Sequence, residues 1–368
     1  DALLRSVSHR LVESVRAIDT VSRLGGDEFV VVLNGVIDTA EISHIVESRL
    51  VPLVRQSHDI DGAELHVSCS IGIAIFPDDA SDVDTLMRHA DSAMYQAKSD
   101  GRDAASYFTP ELNDRAQRRM LVESKLRHAV ERGELTLHYQ PRVDTRSTRL
   151  MGVEALLRWT NPDLGSVAPA RFIPIAEETG LIVAMGAWVI DAACGQLAQW
   201  RQQGLQVPQV SINVSVLQLR DGHLVDTMRT ALERHALPPG TVELELTEST
   251  LMDNVEQTLT QLHAIKRLGV ELAIDDFGTG YSSLNYLNRF PIDRLKIDRS
   301  FVRDMLEDPT DLAITRAIIG LGHTLGLKVV AEGVETEREA QTLRDADCDE
   351  LQGYLYARPM QADRKSVV

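Results

Sequence analysis

Apolar residues recur at two different periods along this chain, and the change of rhythm divides it. In its first third, "DALLRSVSHRLVESVR", "TAEISHIVESRLVPLVRQ" and "DVDTLMRHADSAMYQAKSDG" space apolar residues three and four apart, which predicts helices, the last closed by Gly101. Between them "DTVSRLGGDEFVVVLN" predicts a strand, a tight turn at Gly25 and Gly26 and a second strand, and "LHVSCSIGIAIF" is rich in β-branched residues. The pattern predicts a small α+β unit over residues 1–108. A connector begins at 109–116 and opens a charged, helix-forming stretch, "ELNDRAQRRMLVESKLRHAVERGE", with no glycine before Gly133, which suits a helical link better than a flexible one.

Over residues 117–368 short apolar runs alternate with helical stretches: "LTLHYQPRV", "MGVEALLRW", "QVSINVSV", "TVELELTES", "ELAIDDFG", "RLKIDRSF", "KVVAEGVE" and "LQGYLYA". Repeated strand–helix alternation predicts an α/β domain with a largely parallel sheet, open or closed into a barrel. Composition adds limits. With 43% hydrophobic and 25% charged residues the chain of 368 reads as globular and long enough for two domains. No run reaches the ~18 apolar residues of a membrane helix, and the first residues lack a signal-peptide pattern. Cys69, Cys194 and Cys348 are far apart and lack histidines at zinc spacing, so a reducing cytoplasm is expected. A net charge of -17 argues against binding a DNA or RNA polymer. For a phosphate ester, metals and local cations must reverse the sign at the site.

The polar residues of the second part gather where its strands end. Glu154, Asn213, Glu245, Glu248, Asp275, Asp276, Lys296, Glu332 and Gln352 lie within or at the C-terminal ends of successive apolar runs, the edge on which barrel enzymes build sites. "AIDDFGTG" places adjacent carboxylates before a glycine-flanked loop, an arrangement in which Asp275 can bridge two cations. Oxygen ligands alone select Mg²⁺ or Mn²⁺ over zinc. Lys296 supplies a cation able to orient an attacking water, and the chemistry implied is phosphodiester hydrolysis. Taken singly, each glutamate reads as a cap or a solvated side chain and the "DD" pair as a turn; their placement on one edge outweighs that reading. His138, His263 and His323 show no ligand spacing and read as structural or surface residues.

In order along the chain, "YQPRVD", "GVEALLRW", "FIPIAEETG", "SINVS", "ELTES", "DDFGTGYSSLNYL", "LKIDRSFV", "VVAEGVET" and "LQGYLYARPM" closely resemble the EAL family of cyclic di-GMP phosphodiesterases, over residues 117–361. The resemblance implies a (β/α)8 barrel with a modified first strand, two Mg²⁺ or Mn²⁺ ions, and cleavage of cyclic di-GMP to linear pGpG. It implies that Glu154, Asn213, Glu245 and Asp275 hold one ion and Asp275 and Asp276 the other, with Glu332 and Gln352 nearby. Lys296 then touches the nucleophilic water, and Glu248 supports the cluster. The resemblance further implies that the catalytic group comprises Glu154, Lys296, Glu332 and Asp276, and that Gln140, Arg158, Glu248 and Gln352 serve the substrate, Arg158 at its phosphate. The loop over 276–283, including Gly278, Thr279, Gly280 and Ser282, is expected to couple homodimerisation to metal and substrate binding, with Glu335 as its stabilising acid. The match at these positions implies an active enzyme. The rival reading, a non-catalytic cyclic di-GMP receptor, has no need of Asn213, Asp276 and Lys296 together. Arg142 and Asn161 fall where the family varies and carry no implied role.

"RLGGDEF" resembles the signature hairpin of the GGDEF family of diguanylate cyclases, whose paired glycines let the backbone approach a nucleotide phosphate. The resemblance puts Asp27 and Glu28 at that family's metal and hydroxyl-polarising positions, Lys98 and Arg102 at its triphosphate contacts, and Arg16 and Asp19 of "RAID" at its product-inhibition site. Members of that family begin earlier, with a strand bearing a second metal-binding Asp and a guanine-reading Asn. The first domain is therefore expected to be a regulatory remnant that does not make cyclic di-GMP and has a partly uncovered core. The full-length parent is expected either to be a bifunctional cyclase/phosphodiesterase or to bind GTP here to tune hydrolysis, and to be cytoplasmic or membrane-anchored through a preceding region.

Overall fold

The computed structural model describes residues 1–36, 38–60, 62–252, 254–278 and 289–362. It contains two compact units, Asp1–Leu121 and Val122–Val368. The helix Pro110–Leu126 runs through the predicted connector.

In the first unit β1 (Thr20–Gly25) and β2 (Glu28–Val32) form an antiparallel hairpin around Gly26, whose φ of +54° a glycine adopts without cost. β3 (His58–Ile60) pairs antiparallel with β4 (Ala63–Leu65), and β5 (Ile71–Ile73) pairs parallel with β6 (Ala105–Tyr107). Of the β-branched run "LHVSCSIGIAIF", then, only Leu65, the end of β4, and the middle residues Ile71–Ile73 join ladders. Gly72 explains the choice: a Cβ there would lie 1.9 Å from the Ala90 carbonyl of the helix Val83–Ser99, so β5 presses its backbone onto that helix. Val7, Leu11, Val46, Leu50 and Val54 fill the core beneath. Its strands pair two by two among the described residues, and isolated two-stranded ladders are marginal on their own.

The second unit is a closed barrel. β7 (Leu135–Asp144) and β8 (Leu150–Asn161) open it as an antiparallel hairpin, to which the short β9 (Gly165–Val167) is appended. Then follow β10 (Val210–Val214), β11 (Val242–Thr247), β12 (Glu271–Phe277), β13 (Arg294–Ile297), β14 (Lys328–Ala331) and β15 (Glu350–Gln352). From β10 to β15 neighbours are parallel; β8 closes onto β10 in parallel, while β7 runs antiparallel between β15 and β8. The expected modified first strand is therefore this reversed one. Its reversal is written locally: the Asp144 carboxylate accepts from the backbone N–H of Arg146 and of Ser147 and from the Ser147 hydroxyl, closing a turn that sends the chain straight back.

Helices cover the outside. Leu181–Gln202 is long and apolar enough by composition to cross a membrane; here Met185, Val189, Ile190, Ala193, Leu197 and Trp200 are buried among the core side chains. Val210, Leu244, Leu272, Leu295 and Val329 are completely or almost completely buried in the layer between strands and helices. Gly353 presses against Val334, where a Cβ would lie 2.0 Å from a carbonyl oxygen. Gly353→Ala is predicted to destabilise the barrel by about 1–3 kcal/mol, read as a lowered denaturation midpoint. Hydrogen exchange is expected to be faster throughout Asp1–Leu121 than in the barrel strands, because the former has the smaller core and the shorter ladders; uniform protection would contradict this.

Candidate active site at the C-terminal rim of the barrel

The side chain of Lys296, in β13, is 0% exposed and points into the barrel. Its Nζ lies 2.6 Å from Glu245 Oε2, 3.0 Å from Asp275 Oδ1, 2.5 Å from Glu332 Oε1 and 3.9 Å from Glu154 Oε2. Four carboxylates from β8, β11, β12 and the end of β14 thus converge on one ammonium. Around them, Asn213 donates to Glu154 Oε1 (2.7 Å) and Gln352 to Glu154 Oε2 (2.5 Å). Gln352 also donates to Gln140 Oε1 at 3.4 Å, joining β15 to the reversed strand.

Local sequence holds these ends in place. Ser215 and Thr336 form capping boxes with Gln218 and Glu339, starting helices just after Asn213 and Glu332. Asp298 caps the helix Arg299–Asp304 immediately after β13. The ladder between β12 and β13 shifts register between Ile274 and Phe277, and Asp276 takes a left-handed φ of 52°. Consecutive strand residues normally face opposite sides; this irregularity lets Asp275, Asp276 and Glu332 bring carboxylate oxygens within 4.8 Å of one another. Gly278 follows with φ +100°, and a Cβ there would meet Phe301 at 3.0 Å.

Burial and crowding set the charges. Glu332 is pushed up to about 8, first by burial and then, against the pull of Lys296, by Asp275 and Glu154. Glu245 is raised well above the carboxylate range for the same reasons. Asp276 is raised to about 6 by burial, by Asp275 and by a hydrogen bond shared with Asp298. Burial works against the charge of Lys296, but the surrounding carboxylates outweigh it and hold its proton firmly. Burial likewise works against Glu154, yet Lys296, Gln352 and Asn213 keep it below its usual value.

Such a donor set fits hard cations. The oxygens are carboxylates and an amide, their negative charge exceeds that of Lys296, and the buried Glu245 Oε1 lacks a hydrogen-bond partner among the described residues. Because native Glu332 holds a proton that the unfolded chain releases near the ordinary carboxylate range, it stabilises the metal-free fold below about pH 4.5. That contribution is lost as pH rises towards about 8. The metal-free chain is therefore predicted to lose thermal stability from pH 5 to 8, and Mn²⁺ to restore more of it at pH 8 than at pH 6; a flat profile would count against this charge state.

Other expected site residues fall less centrally. Arg158 is half-buried beside Tyr354 and Glu154. Glu248, buried just past β11, has both carboxylate oxygens without a hydrogen-bond partner among the described residues. Glu335 is exposed, its backbone N–H donating to Glu339. Thr279, Gly280 and Ser282 lie outside the described residues. In the first unit Asp27, Glu28, Lys98 and Arg102 are exposed, and Arg102 takes a φ of +62°. Asp19 accepts from the backbone N–H of Arg16 and Asn34, while the Arg16 guanidinium pairs with Glu41 at 2.6 Å. His323, expected to be a structural or surface residue, is exposed and bonds Asp349 at 2.9 Å. Sequence reasoning passed over Asp298, whose signal was available: an Asp directly ahead of a Ser-containing helical start, two residues past Lys296.

Comparison with known proteins agrees with this architecture. Residues 123–359 match the EAL domain model, and residues 1–104 match that of the diguanylate cyclase, GGDEF domain. The chain belongs to the EAL domain family, with a GGDEF domain at its N-terminal side. It is 45% identical over 99% of its length to the bifunctional diguanylate cyclase/cyclic di-GMP phosphodiesterase MucR of Pseudomonas aeruginosa. It is 40% identical over 98% of its length to the cyclic di-GMP phosphodiesterase PdeR of Escherichia coli. The chain spans 53% and 54% of those relatives, about half of each. Among solved structures, the PaMucR phosphodiesterase in complex with c-di-GMP is 48% identical, with a TM-score of 0.64, covering 66% of this chain and 99% of that one. The EAL domain of Mycobacterium smegmatis DcpA is 39% identical with a TM-score of 0.54, covering 64% of this chain and 95% of that one.

Proposed function

We propose that the barrel hydrolyses cyclic di-GMP to linear pGpG in a divalent-metal-dependent reaction. The observation that carries this reading is the convergence of Glu154, Glu245, Asp275 and Glu332 on the buried Lys296, with Asp276 beside them. Its support from relatives is that proteins sharing this architecture are named for that activity, one of them in complex with c-di-GMP.

Glu154, Asn213, Glu245 and Asp275 would hold one Mg²⁺ or Mn²⁺, and Asp275, Asp276 and Glu332 a second. When bound, such ions lower the pKa of water and stabilise charge on the oxygens of a phosphoryl displacement. The chain's own residues do the rest. Lys296 fixes the carboxylates in one cluster and presents an ammonium proton where an attacking oxygen would need orientation. Asn213 and Gln352 lock the Glu154 carboxylate by donating to its two oxygens. Arg158 offers a half-buried guanidinium to a substrate phosphate, its partial desolvation strengthening that contact. Gln140 and Gln352, linked to each other, carry amide groups able to read a base edge. Glu248 would support the carboxylate cluster and the substrate, and Glu335 would stabilise the loop that carries Gly278, Thr279, Gly280 and Ser282 and couples the site to a homodimer. We assign the GGDEF unit a regulatory part, with GTP as its ligand in the full-length protein.

The test incubates the chain with cyclic di-GMP and Mg²⁺ or Mn²⁺ and separates the products by chromatography. Wild type is expected to yield pGpG, and Glu154→Ala to lose at least ~100-fold in rate, the scale for removing a group that stabilises developing charge. Binding without turnover by wild type would replace this reading with that of a receptor.

A further inference from the structure

Directly beneath the site lies a second buried polar layer that hydrolysis does not use. Arg142, on the reversed β7, is 1% exposed; its Nη1 lies 2.7 Å from Glu243 Oε1 and its Nε 2.6 Å from Glu350 Oε2. Arg294 pairs with the other oxygen of Glu243 and lies 3.3 Å from Glu350 Oε1. Two guanidinium groups and two carboxylates therefore close a ring across β7, β11, β13 and β15. Strands that are not neighbours contribute to it, so it lies inside the barrel. Gln209 Oε1 accepts from Arg142 Nη2 at 2.6 Å, and Ser211 donates to Glu243 at 2.8 Å. Glycine makes the room: a Cβ on Gly152 would lie 3.3 Å from Arg142 Nη2 and 3.1 Å from the Gln209 carbonyl.

Each strand of this floor carries a site residue one step of two above it. Glu243 precedes Glu245, Arg294 precedes Lys296, Glu350 precedes Gln352, Ser211 precedes Asn213, Gly152 precedes Glu154, and on the reversed strand Arg142 follows Gln140. Two residues along a strand span about 6.7 Å. The buried ring balances two positive against two negative charges, and the partly exposed Glu271, 3.4 Å from Arg294, and the exposed Lys328, 3.9 Å from Glu350, add one of each sign at its edge, whereas the layer above holds Glu154, Glu245, Asp275 and Glu332 against Lys296 alone.

We propose that this four-charge floor is a positioning element for the cation site: its neutrality sets the electrostatic potential at which the carboxylates above it accept divalent ions. Glu243, Arg142, Arg294 and Glu350 touch neither substrate nor metal and act through the layer they support. A purely mechanical floor would respond to any disturbance in one direction. An electrostatic one responds according to the sign of the charge added, because even under water-like screening an unbalanced unit charge about 7 Å from a doubly charged ion moves its binding about tenfold, and burial only strengthens the effect.

The inference rests on the metal-binding reading above, and calorimetric titration of the nucleotide-free chain with Mn²⁺ separates the two. Glu243→Gln keeps shape and removes a negative charge, and is expected to weaken Mn²⁺ binding at least ~10-fold; Gln209→Glu keeps shape and adds a negative charge beside both arginines, with the partly exposed Glu271 that accepts from Gln209 Nε2 at 2.8 Å turning to solvent, and is expected to tighten it by a similar factor. Shifts of opposite sign, whatever each variant does to the denaturation midpoint, support the proposal. Shifts of the same sign, or unchanged affinity in both, overturn it. Should Glu243→Gln fail to fold, unchanged or weaker binding in Gln209→Glu overturns it alone. If the wild type binds no Mn²⁺, the metal reading falls and this inference with it.

Discussion

An ammonium group with no access to solvent cannot be held for long without compensation, and in this barrel Lys296 is compensated by four carboxylates that equally cannot be buried without it. Removing either side would leave uncompensated charge in the interior, which is far more costly than the pair itself. Because the acids come from β8, β11, β12 and the end of β14, the interaction ties distant parts of the chain together at one point. The acids outnumber the ammonium, so the cluster is stable either with protons on Glu332 and Glu245 or with added cations. That choice between proton and metal ion is the physical basis of the proposed chemistry.

The architecture around the cluster consists largely of devices that keep its members still. Capping boxes at Ser215 and Thr336 and the cap at Asp298 stop three strands just past Asn213, Lys296 and Glu332. The irregularity at Asp275 and Asp276 turns two neighbouring carboxylates towards one centre at the expense of a left-handed backbone, a conformation that aspartate tolerates better than most residues. The reversed β7 brings Gln140 next to Gln352 and Arg142 into the floor, contacts that a strand running the usual way would place in the opposite order along the barrel axis.

The strands of the barrel, the acids at their ends and the hairpin at Gly25 and Gly26 were legible because each has a local signal: apolar runs bounded by polar residues, a carboxylate at the boundary, paired glycines before exposed acids. The first unit was less so. "LHVSCSIGIAIF" has the composition of one long strand, yet only Leu65 at its start and Ile71–Ile73 pair, in separate ladders, since the close approach of Gly72 to the helix Val83–Ser99 is a tertiary matter. His323 showed no partner by spacing, and its partner Asp349 arrives just ahead of β15, the strand beside β14, once the two have paired.

The ionic floor marks the limit most clearly. Its residues alternate with the site residues in the written chain, as in "VELEL" and "RLKID", so period-two polarity on strands was present to be read. What the sequence by itself determined is which residues could face inward and that they are charged, since side-chain alternation is a local property of the strand. Which strand stands across from which, and thus whether Arg142 meets Glu243 and Glu350 or Lys296 meets four acids, was decided only by closure of the barrel. Closure brings together residues far apart in the chain, and a charge buried there keeps its place only if the partner that compensates it arrives as well.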